Sequence, residues 1–140
     1  MNGEQLIENS IKTAITGPGY PLIDDYEEFP TIPNPGLPTF RVRLGQNTEN
    51  VVDVLGVIVS VVFYVVYVDF QCPNNSAGTS NAKEELFEIV AAYTPPVPGI
   101  GDLIQIDKLS ILTIDPPNYA IGRDKQTIRR ATLICEYHQF

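Results

Sequence analysis

Leu6, Ile7, Ile11, Ala14 and Ile15 recur at spacings close to three and four, which stacks them on one side of a helix over Gly3 to Ile15. Glu4 and Glu8 near its start and Lys12 near its end suit the helix dipole, and Gly17-Pro18-Gly19 stops it. The period is then lost. Tyr20 to Pro38, YPLIDDYEEFPTIPNPGLP, is dense in proline, which removes backbone donors and disfavours helix at and before each ring. This reads as an extended arm, and Leu22, Ile23, Tyr26, Phe29 and Ile32 give it side chains to lay on something. Thr39 to Leu44 alternates, with Phe40, Val42 and Leu44 on one face and Arg41 and Arg43 on the other, the pattern of a half-buried strand. Gln46 to Asn50 is a turn or loop by composition.

The next segment, VVDVLGVIVSVVFYVVYVDF from Val51 to Phe70, holds most of the uninterrupted apolar sequence. A spanning helix needs about 20 apolar residues, and Asp53 and Asp69 confine the uncharged run to about 15. Valine dominates it, and β-branching favours a pleated surface over a helix. A strand is predicted, continuous from near Gly56, with a loop or bulge before it. Read with a period of two, both of its faces are apolar. Two short helices cover one face of such a sheet, so the second face needs either the proline-rich arm or another subunit.

After the loop at Asn75 to Asn81, Ala82, Leu86, Ile89, Val90 and Tyr93 return to helical spacing, with Ser80 or Asn81 as N-cap, and Pro95-Pro96-Val97-Pro98-Gly99 ends the helix. Leu103 to Ile114 and Thr127 to Tyr137 are β-like, separated by Asp115-Pro116-Pro117-Asn118. The predicted order is helix, arm, two strands, helix, two strands. The fold class expected is α+β: a mostly antiparallel sheet with the N-terminal helix and the second helix on one face, plus the proline-rich arm at residues 20–38. At 140 residues the chain fits a single domain, residues 1–140.

Charge narrows the function. Net charge is −8, from 17 acidic against 9 basic side chains, so the average field repels nucleic acid and anionic lipid. The N-terminal sequence lacks the charge and apolar pattern of a secretory signal. Cys72 and Cys135 lie far apart and form no CxxC pair, so reduced, buried thiols are expected. His138 is the one histidine and has too few neighbours in sequence for a triad or a metal site. The glycines match no phosphate-binding fingerprint. Asp24, Asp25, Glu27 and Glu28 form the densest carboxylate cluster, which suits a solvated face or a partner contact better than acid-base chemistry. No enzyme, cofactor or metal is indicated. Basic residues are few but grouped: Arg41 and Arg43 on one strand face, and Arg123, Lys125, Arg129 and Arg130 near the last strand. They are either solvated strand edges or partners for the acidic arm of a neighbouring copy. Asp24, Asp25, Glu27, Glu28, Arg41, Arg43, Arg123, Arg129 and Arg130 are therefore the candidate assembly residues.

The order of elements, together with NYAIGRDKQTIRRATLICEYHQF at the C-terminal end, resembles the tail terminator proteins of long-tailed bacteriophages. The likeness is strongest from Tyr119 to Tyr137, with an Arg123-Asp124 turn before an alternating last strand. The resemblance implies a virion protein of the tail or neck. Such a protein forms a homo-oligomeric, six-membered ring that caps the tail tube and meets the head connector or stopper, while DNA passes through its channel without specific binding. Another neck or tail component, such as a connector, a stopper or a baseplate protein, is the alternative, and a small soluble enzyme or metal-binding protein is the more distant one. Partners are then the chain itself, the tube protein and the connector, with no membrane.

Overall fold

The computed structural model describes residues 3–30, 37–72, 76–116 and 127–140, with side chains at 49–54, 57–61 and 76 outside that description. The chain is α+β, with two helices and a five-stranded mixed sheet that is mostly antiparallel. In chain order the elements are α1 (Gly3–Thr16), β1 (Leu22–Ile23), β2 (Thr39–Val54), β3 (Val57–Cys72), α2 (Ser76–Ala92), β4 (Ile104–Ile114) and β5 (Thr127–Gln139). The sheet order is β1-β2-β3-β5-β4, and only β1 runs parallel to its neighbour.

α1 forms where the sequence predicts it and buries Ile7, Ile11 and Ile15. α2 begins at Ser76, about a turn earlier than the predicted cap, because the helical period extends upstream through buried Thr79 before Ala82, Leu86 and Ile89. Both helices pack on the same side of the sheet. Their buried residues join Phe40 and Val42 of β2, Val66, Val68, Phe70 and Cys72 of β3, Ile104, Ile106 and Leu109 of β4, and Ala131, Leu133, Cys135 and Tyr137 of β5 in one core. Phe40 opposes Phe70 and Val42 opposes Val68 across the ladder, so the period-two faces of the two strands match.

Two further segments depart from the sequence reading. Gln46 to Asn50, expected as a turn, lies inside β2, which continues to Val54. The polar composition marks a bulge instead: the register shifts between Leu44 and Asn47, which oppose Val66 and Tyr64. A Cβ on Gly45 would come within 2.9 Å of the Tyr67 ring and 3.0 Å of the Val65 carbonyl oxygen, so glycine lets the strands close here. The reversal itself falls at Leu55-Gly56, where φ is +51° and +82°, as a two-residue type I′ hairpin turn requires. β1 is the other addition. It is two residues of the arm laid parallel to Phe40 and Arg41, with the Phe40 amide donating to the Pro21 carbonyl at 2.9 Å. Residues 31–36 of the arm lie outside the described residues.

Candidate functional site

Odd-numbered positions on β3 face away from the helices. Phe63, Val65 and Tyr67 come first, and the strand then turns polar at Asp69 and Gln71, both nearly inaccessible to solvent. Register places Asp69 between Arg41 of β2 and Arg130 of β5. Arg130 Nε donates to Asp69 Oδ1 at 2.7 Å and Arg41 Nη2 donates to Oδ2 at 2.9 Å. The Asp69 side chain is 4% exposed, against 15% for Arg41 and 41% for Arg130. Burial pushes the Asp69 carboxyl up, but the hydrogen bonds and charges of Arg130 and Arg41 outweigh it and hold the group below the usual carboxylate range. Arg130 also lies over the Tyr67 ring, 4.9 Å from its centroid.

Residues 25–30 lie over this polar end. Arg41 Nη1 donates to the Glu27 carbonyl at 2.9 Å, its guanidinium sits 4.9 Å from the centroid of Phe29, and the Gln71 amide donates to the Pro30 carbonyl. Arg43 pairs with the Asp25 carboxylate and also reaches the Asp25 carbonyl. Asp24 accepts from the Tyr26 hydroxyl at 3.2 Å, while Glu27 and Glu28 are exposed. Phe29 is the one buried apolar side chain of this stretch. The pairing of basic strand residues with an acidic arm is thus present, and it is made within the chain. Beyond the reach of these contacts, Val65 and Tyr67 are half-buried, and Ile128 and Leu112 on the flanking strands are 40% and 59% exposed.

The remaining candidates separate. Arg129 points to the opposite face from Arg130 and is buried, donating to the Asp115 carbonyl at 3.0 Å and the Thr79 carbonyl at 3.4 Å beneath α2. It ties β5 to the loop after β4 and to the helix, so it is an internal residue of the chain. Arg123 lies outside the described residues. Sequence reasoning used Asp69 only as the end of the apolar run. Its signal was an acid in a valine-rich strand with arginines on both neighbouring strands.

The other conspicuous surface is the β2–β3 hairpin. β5 pairs with β3 from Val62 to Cys72, whereas β2 and β3 continue pairing through Val54 and Val57. Five residue pairs therefore form a two-stranded ribbon beyond the sheet, about 17 Å long at 3.4 Å per residue. Its sequence from Asn50 to Val61 is NVVDVLGVIVSV, and Leu55 at the tip is 99% exposed.

Among the described residues, several clefts flank the helices. A groove of about 480 Å³ runs between α1 and α2, with Ala14, Tyr20, Ile89 and Tyr93 on its walls. A more polar cleft of about 340 Å³ lies where α1 meets the sheet, beside stacked Tyr64 and Tyr137. Among the described residues, no group of three or more His, Cys, Asp or Glu side chains converges, and no helix is long and apolar enough to cross a membrane. Comparison with protein-family models and with curated proteins finds no match to this chain.

Proposed function

We propose that the protein is a structural subunit of a phage virion, a tail terminator whose copies form a six-membered ring that caps the tail tube and meets the head connector. It works by surface complementarity between copies and with the tube protein and connector. The observation that carries the reading is the hairpin tip. A type I′ turn favours Asn or Gly at its first central position, and a leucine held at φ +51° costs about 1–2 kcal/mol. Leu55 is also 99% exposed and makes no use of its side chain within the chain's core. A residue that costs the fold twice is explained by a contact outside the chain. The ribbon behind it supports the same reading. Two strands alone are marginal in water, and a ribbon of apolar sequence that pairs with no third strand among the described residues calls for a neighbour.

The net charge of −8 suits a channel wall that lets DNA pass without adhering. A connector, stopper or baseplate piece would use the same hairpin, and the position of the ring in the virion separates these readings. The test is light scattering with negative-stain imaging of wild type and Leu55→Asn. Wild type is expected to form closed rings that add to tail tubes. Leu55→Asn, which suits the turn better, should melt higher and assemble worse. Wild-type protein that stays monomeric at micromolar concentration and adds to no tube overturns the proposal.

A further inference from the structure

The groove between α1 and α2 has apolar walls and one acidic end. Its volume of about 480 Å³ adjoins a second cleft of about 270 Å³ beside Leu6 and Pro96, since Ser10, Thr13 and Thr94 line both. Together they form a trough along α1 from Leu6 to Gly17, about 16 Å at 1.5 Å per residue. Its other wall is a stripe of α2, because Glu85, Glu88, Ile89 and Ala92 fall at i, i+3, i+4 and i+7. The helices run antiparallel here: the Ser10 and Tyr93 hydroxyls lie 2.9 Å apart, which leaves the glutamates at the end by Gly17 and Tyr20.

Three features make that end negative. Glu88 lines it, and one turn away Glu85 Oε2 is shielded from solvent with no hydrogen-bond partner among the described residues. Burial and the charge of Glu88 push the Glu85 carboxyl up, and burial and both carboxylates push up the Tyr20 hydroxyl. The third feature is the negative end of α1, whose last turn holds no basic residue, while Lys12 is drawn back to Glu8 at 2.9 Å. The Gly17, Gly19 and Tyr20 amides donate to the carbonyls of Thr13, Thr16 and Ile15, but the Ala14 carbonyl receives no such bond, because its helical donor would be Pro18. A shielded carboxylate oxygen without a donor is rare and destabilising, and a cation brought from outside satisfies all three features together. The chain's own hairpin tip is a poor occupant, because it brings Asp53 and no basic residue.

We infer that the trough seats an extended segment of a partner protein in which a lysine or arginine adjoins apolar residues. The cation lies at Glu85, Glu88 and the Ala14 carbonyl, and the apolar side chains run toward Leu6 and Pro96. About five extended residues match its length. This stands apart from the ring reading, since a monomer carries the same trough.

The probe is the peptide acetyl-RLPLS-amide, titrated into the full-length ¹⁵N-labelled chain, with acetyl-ELPLS-amide as control. Binding with a Kd of about 1 mM or tighter is expected, moving the amides of Gly17, Glu88 and Tyr93. Glutamate in place of the peptide's arginine should weaken binding about tenfold or more. The double variant Glu85→Gln/Glu88→Gln should lose the same factor for the arginine peptide and, with the desolvated charge removed, melt higher than wild type. Equal binding of the two peptides, shifts confined to other surfaces, or no shifts below about 5 mM overturn the inference. So does a double variant that binds the arginine peptide as tightly as wild type. Movement of the same amides on diluting the protein alone assigns the trough to a second copy and overturns the inference as well.

Discussion

Asp69 and Arg130 face each other across the β3–β5 ladder, and the 2.7 Å bond from Arg130 Nε is half of a carboxylate clamp that Arg41 completes from the other side. One buried acid thereby ties together β2, β3 and β5, and through Arg41 it also fixes the arm. Asp69→Asn keeps the shape but leaves two guanidinium groups on the sheet without their anion. The expected loss is about 2–3 kcal/mol, below the range for a fully buried pair because Arg130 is 41% exposed. Urea unfolding should also rank Arg41→Ala as more damaging than Arg130→Ala, following their exposures of 15% and 41%.

The same clamp sets an acid dependence. The Asp69 carboxyl is lowered in the folded chain, so its contribution is fully present above the unfolded value of about 3.9 and is lost as pH falls toward the folded value. Wild type should therefore lose stability as pH falls below about 4 more steeply than Asp69→Asn, which has no proton to take up there. Thermal melts of both proteins across that range check the sign. Parallel curves would remove Asp69 as the source.

Gly45→Ala should destabilise by about 1–3 kcal/mol, since the added methyl meets both the Tyr67 ring and the Val65 carbonyl oxygen. Trimming the ring with Tyr67→Ala should recover only part of this, because the carbonyl remains in place. Full recovery in the double variant would show that the ring alone sets the limit.

Burial pushes the Cys72 thiol up to about 11, with the Arg129 charge pulling the other way. Cys135 is pushed up to about 12 by burial and by the charges of Asp107 and Glu136. Thiolate is scarce at both sites at pH 8, so neither should react with a disulfide reagent until the chain unfolds, when both should react together. Reaction of one thiol in the native protein would reveal local opening around it.

Arg129→Lys should lower stability by about 1–3 kcal/mol, because an ammonium cannot hold the Asp115 and Thr79 carbonyls while lying over the Phe70 ring. Arg130→Lys, on the more exposed face, should cost less. Comparison of the two melts tests whether adjacent arginines on one strand have separate duties.

Much of this architecture was legible because the relevant signals are local. The 3.6-residue spacing of Ile7, Ile11 and Ile15 found α1, and the alternation through Ala131, Leu133 and Cys135 found β5. The segments that escaped depend on pairing. Leu22-Ile23 is a strand only because Phe40 and Arg41 lie beside it, and prolines nearby argue against any strand. Gln46 to Asn50 looks like a turn, yet the partner strand holds it extended once Gly45 absorbs the register shift. The clamp around Asp69 needed the register of three strands, which hydropathy does not give. The two faces of β3 were correctly apolar, but which one the helices would take was fixed only by matching Phe40 with Phe70. Arg129 was grouped with Arg130 by adjacency, although period-two geometry sends neighbours to opposite faces.

The hairpin has a mechanical consequence. Both strands continue into the sheet, β2 with the bulge at Gly45 and β3 without one, and there β3 is hydrogen-bonded to β2 on one side and along eleven residue pairs to β5 on the other. A pull on Leu55 along the strand axis loads those ladders in shear, so many hydrogen bonds share the force instead of opening one after another. The ribbon is a lever with a stiff root, and a displacement at its tip reaches the floor of the helix-covered core without a hinge between them.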